Sequence, residues 1–84
     1  MDMQHLNHVI ARVMRRVQLS QGYRKDRLRA TLRYLNEARR YTKQGAESAA
    51  LYLVSCALDE LRQANNASLC FAMDMCFAMD RVRA

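Results

Sequence analysis

The sequence contains no proline and no tryptophan, and only two glycines, Gly22 and Gly45. Without proline, no position is barred from a helix interior. With so little glycine there is no phosphate-cradling loop, so the nucleotide-binding motifs that depend on one are excluded. No run alternates apolar with polar residues in the β-branched pattern of a strand. No stretch reaches the ~18 consecutive apolar residues of a membrane span, so no membrane partner is expected. Acidic side chains are also scarce, 8 against 14 basic ones. The three cysteines, Cys56, Cys70 and Cys76, are an odd number and lack the spacing of a metal finger. Each lies in an apolar helical pattern, the setting of an inert thiol and not of an activated one. With no signal-peptide pattern at Met1-Asp2-Met3, a cytoplasmic protein with reduced thiols is expected.

What remains is dominated by alanine, leucine, arginine and methionine, all good helix formers. A chain of 84 residues makes one domain, 1–84, and buries roughly 60% of the surface that its unfolded form exposes. Such a core is modest, and oligomerisation is a common remedy. The expected fold is all-α, a small antiparallel bundle of about four helices with a helix-turn-helix hairpin at its centre.

Residues 46–64 are expected to hold the central place because their apolar positions, from Ala46 to Ala64, cover roughly 220° of a helix. An arc that wide predicts neighbours on two sides. The first helix is expected over 3–19, capped by Asp2. Its apolar residues Met3, Leu6, Val9, Ile10, Val13, Met14 and Val17 face away from Arg12, Arg15, Arg16, His5 and His8. Gly22 can take the positive φ that ends it. The second helix is expected over 23–44, with Leu28, Ala30, Tyr34, Leu35, Ala38 and Tyr41 as its apolar face and Gly45 as its stop. The turn that follows is too short for anything but an antiparallel hairpin.

At this hairpin Tyr34, Ala38, Tyr41, Gly45, Ala50, Val54 and Ala57 stand at the relative spacing of large and small residues in a tetratricopeptide helix pair. Residues 34–62 therefore resemble a single copy of that repeat. They depart from it at Glu37, where the family has a large apolar residue, and near Arg62, where it has a closing proline. The resemblance implies an adaptor fold that binds peptides or helices without catalysis.

Asn65, Asn66 and Ser68 break the pattern ahead of a fourth helix expected over 68–82. That segment contains a repeat offset by six residues, Cys70-Phe71-Ala72-Met73-Asp74 and Cys76-Phe77-Ala78-Met79-Asp80. Six residues turn about 600°, so the two copies point in different directions and the helix is apolar nearly all round. Burial on every side calls for another polypeptide, a second copy or a partner protein, with Phe71, Met75, Phe77 and Met79 as anchors. The competing expectation is a central helix wrapped by the other three.

The strongest polar signal is a stripe on the second helix. Lys25, Arg29, Arg33, Arg39, Arg40 and Lys43 fall within about 120° of one another, interrupted only by Leu32 and Asn36. Residues 1–43 carry 11 basic and 3 acidic side chains, residues 44–84 carry 3 and 5. A stripe of this kind is a solvated face, a dock for an acidic protein surface or a phosphate-binding track. It lacks interleaved aromatic residues and the chain lacks a helix-turn-helix signature, which places nucleic acid second to protein.

Chemistry is poorly supported. His5 and His8 share a helix face without a third ligand. Asp59 and Glu60 are adjacent and diverge by about 100°. No thiol has an adjacent base, and no nucleophile elbow is present. The expectation is a non-catalytic module without metal or cofactor that binds another protein as a homo-oligomer.

Overall fold

The structure, a computed structural model, describes residues 3–64. They form three α-helices: α1 Met3–Leu19, α2 Gly22–Lys43 and α3 Glu47–Gln63. No strand occurs among the described residues, and the all-α class agrees with the sequence pattern. The expected cap Asp2, the break at 65–68, the fourth helix at 68–82 and its anchors Phe71, Met75, Phe77 and Met79 lie outside the described residues.

Each helix begins and ends close to where its sequence signals stand. The two glycines both adopt positive φ, Gly22 at 65° and Gly45 at 80°. Gly22 does not terminate α1, which stops at Leu19; it opens α2 instead, behind an extended Gln21. Gly45 follows the last turn of α2 in a Schellman arrangement. The Ala46 amide donates to the Tyr41 carbonyl at 2.9 Å and the Gly45 amide to Thr42 at 3.1 Å. Two otherwise orphaned carbonyls are thereby satisfied before α3 begins. A Cβ added at Gly45 would meet nothing within 4 Å, so any cost of a side chain there comes from the left-handed backbone alone. Gly45→Ala is expected to lower stability by about 1–2 kcal/mol, read as a lower midpoint in a urea titration at unchanged helicity.

Among the described helices α2 lies in the middle. Both α1 and α3 pack on α2, and α1 does not pack on α3. Among the described helices, therefore, α2 has neighbours on two sides; the second neighbour expected for 46–64 is the helix over 68–82, outside the described residues. The reason lies in α2's own burial. Leu28, Thr31, Leu35 and Ala38 are buried, and Leu32, Tyr34 and Tyr41 pack partly against the core. That set spans enough of the helix to serve two neighbours, although polar residues surround it.

The core joins Leu6, Val9, Ile10 and Val13 of α1 to Leu28, Leu35 and Ala38 of α2, and to Ala50, Val54, Ala57, Leu58 and Leu61 of α3. Thr31 is the one polar member among the described residues, fully buried with its hydroxyl donating to the Arg27 carbonyl at 2.9 Å. That bond inside its own helix satisfies the hydroxyl without a second partner. Met14 sits at the edge of α1's apolar arc and is half-exposed, not buried with the rest.

Candidate functional site

Two helices cover two sides of α2 and leave a third side open. Its residue pattern decides what is shown there. Arg29, Arg33, Arg40 and Lys43 are exposed, whereas Lys25 and Arg39 are half-buried. Arg39 lies at the edge toward α1, where its guanidinium donates to Asn7 Oδ1 and Asn36 Oδ1, both at 3.2 Å. It ties the end of α2 to the start of α1 and so belongs to the scaffold more than to the open face. Leu32, which interrupts the stripe in sequence, turns inward against the core.

The open arginines differ in their company. Arg40 pairs with Glu37 at 3.3 Å, both well exposed, and its guanidinium stands 5.8 Å from the Tyr41 ring centre. Arg29 and Arg33 have no carboxylate partner among the described residues. Arg33 and Arg40, seven residues apart, stand two turns or about 10.5 Å apart along the helix. With Asn36, Glu37, Tyr34 and, from α3, Leu53, they line a surface depression of about 540 Å³. A second depression, of about 550 Å³, is lined by Asp26, Arg29, Leu32 and Arg33. Arg33 is common to both.

One arginine that the stripe does not contain matters to its geometry. Arg27 Nη1 reaches Glu60 Oε2 on α3 at 3.0 Å, with the carboxylate largely buried and the guanidinium half-buried. The Tyr23 ring lies 5.0 Å from the same guanidinium, a cation–π distance. The hydrogen bond to Glu60, with the Tyr23 and Glu60 charges behind it, holds Arg27 protonated more firmly than an arginine in water. Its Nε is buried without a hydrogen-bond partner, so the terminal nitrogens and the π face carry the polar interaction. This lock joins the first turns of α2 to the last turns of α3. In sequence it is hidden, because its halves are 33 residues apart and neighbouring arginines look alike. Glu60→Gln is expected to lower the melting temperature more than Asp59→Asn does. The Asp59–Arg62 pair is exposed on both sides, and exposed pairs contribute little. Thermal melts of the two variants by circular dichroism check this.

The other candidate chemistry does not converge. Among the described residues, no three of His, Cys, Asp and Glu are placed to hold a metal ion. Cys56 is half-buried on α3. The hydrogen bond that Tyr52 shares with it, one turn away, pushes the phenol up from its ordinary range. Glu60, adjacent to Asp59, faces Arg27 instead of its neighbour. No helix among the described residues is long and apolar enough to cross a membrane.

Compared with family models, curated proteins and solved structures, the chain matches none. The tetratricopeptide-like spacing of residues 34–62 thus rests on the hairpin itself. There Ala38, Ala50, Val54 and Ala57 are buried while Tyr34 and Tyr41 pack at the margin.

Proposed function

We propose that the chain is a small non-catalytic protein-interaction module, an adaptor, chaperone-like factor or inhibitor, that occupies the acidic surface of a partner protein. The observation that carries this reading is the open side of α2, where Arg29, Arg33 and Arg40 project together from a helix held on two other sides. Long-range attraction to a negative partner would steer and orient the encounter. Nucleic acid is the competing occupant. The apolar surface of Tyr34 and Leu53 beside the arginines suits a protein side chain better than a phosphate backbone. Self-association through Phe71, Met75, Phe77 and Met79 belongs to the same proposal, and light scattering would report it as twice the chain mass.

The test is the triple charge reversal R29E/R33E/R40E, compared with the wild type by fluorescence anisotropy. The probes are a labelled polyglutamate chain and a random-sequence DNA duplex, each at low and moderate salt. The expected result is binding of polyglutamate by the wild type and at least a ~10-fold loss in the variant, a difference of about 1.4 kcal/mol, with helicity unchanged. Binding of duplex alone, with affinity falling steeply in salt, would transfer the face to nucleic acid. Binding of neither would make the stripe a solvated surface.

A further inference from the structure

The two depressions on α2 meet at Arg33, and together they reach from Asp26 to Arg40. Fourteen helical residues separate those ends, about 21 Å of axis. Along this track the chemistry is not uniformly charged. Leu32 lines one depression, Tyr34 and Leu53 line the other, and each of the three also packs partly against the core. Their positions are therefore set by the fold. Arg29 and Arg33 stand along the track without a carboxylate partner among the described residues, and Arg40 shares its charge with Glu37.

We infer that this track binds an acidic amphipathic helix of a partner protein. The inference rests on the protein-docking reading above and names the ligand for it. The occupant carries Asp or Glu residues about two turns apart, matched to Arg33 and Arg40, and an apolar side chain between them that seats on Tyr34 and Leu53. Charge complementarity selects the sign of the partner. The apolar floor selects a side chain that a polyanion does not have. Three or four helical turns fill the available length, as in other helix-in-groove complexes. The Glu37–Arg40 pair sits in the depression as a gate on affinity: an incoming carboxylate must share Arg40 with it, whereas Arg33 is open.

The test uses the full chain and two labelled helical peptides of equal length and equal net charge. One carries glutamates two turns apart with leucine and phenylalanine between them; the other has serine and glutamine at those apolar positions. The expected result is at least ~10-fold tighter binding of the apolar-acidic peptide. In amide-shift mapping its largest perturbations should fall at Arg33, Asn36, Glu37 and Leu53. Leu53→Asn should abolish the difference between the peptides while retaining the weaker, charge-driven binding of both. Should that variant fail to fold, the amide map on the wild type decides alone. Equal affinity of the two peptides, or shifts spread evenly over the whole stripe, would overturn the inference and leave the acidic-surface reading standing. Absence of binding by both would overturn the two together.

Discussion

Leu35→Ala is expected to remove much of the stability of this fold. The side chain has no exposed surface and stands midway along α2, the helix on which both others pack. Truncating a leucine at such a site costs about 2–5 kcal/mol, the upper end applying where neighbours cannot collapse into the space. Collapse is restricted here, because a shift of α2 toward one neighbour opens it to the other. A domain of this size has roughly 4–13 kcal/mol in total at typical values per residue. Each kcal/mol moves the melting temperature of a small domain by roughly 4–8 °C. The melt of Leu35→Ala should therefore fall by ~10 °C or more, whereas Met14→Ala, at a half-exposed edge, should move by only a few degrees. A fall of the same size in both would mean that α2 does not hold the central position described above.

Ala57→Leu is expected to destabilise by the opposite route. Ala57 is fully buried on α3 one turn before Glu60, whose carboxylate is bound to α2 through Arg27. Ala38 on α2 and Ala50 on α3 are fully buried as well. Small residues at these positions let the two helices approach closely, and the Arg27–Glu60 lock sets their spacing at one end. A leucine in place of Ala57 must push α3 outward or adopt a strained rotamer, at a cost of about 1–3 kcal/mol. The stretched lock should show first. Chemical exchange or shift changes at Tyr23 and Gln63, whose side chains meet at 3.5 Å, are expected in NMR spectra before helicity is lost. Ala11→Leu, on an exposed position of α1, provides the control.

The sequence showed the fold class because helix signals here are local. Gly22 and Gly45 are the two positions that can adopt positive φ cheaply, and both do. The apolar periodicity of α1 is undisturbed: of the seven expected residues Leu6, Val9, Ile10 and Val13 are buried, Met3 and Val17 pack partly against the core, and Met14 is half-exposed. The position of α2 was not legible. Its surface is rich in arginine, and one of its core residues is a threonine, so a hydrophobicity pattern undervalues it. The second neighbour expected beside 46–64, the helix over 68–82, lies outside the described residues.

The arginine face was partly legible. Arg29, Arg33 and Arg40 share an exposed side, as their spacing requires. Arg39 stands about 80–120° round the helix from them, at the far edge of the stripe, and this brings it against Asn7. The contribution of Leu53 could not be read from the stripe at all, because it comes from the next helix across the hairpin.

Each described helix docks on the one that precedes or follows it in the chain, through links of only two or three residues. Native pairings of this kind need little loop closure, and their entropic cost is met early. Folding of this part of the chain should accordingly be fast, in the microsecond-to-millisecond range of proteins with local topology. The α2–α3 hairpin, with its glycine turn and its arginine–glutamate lock, is the expected nucleus. Residues in it should slow refolding when altered, while changes in α1 should chiefly hasten unfolding.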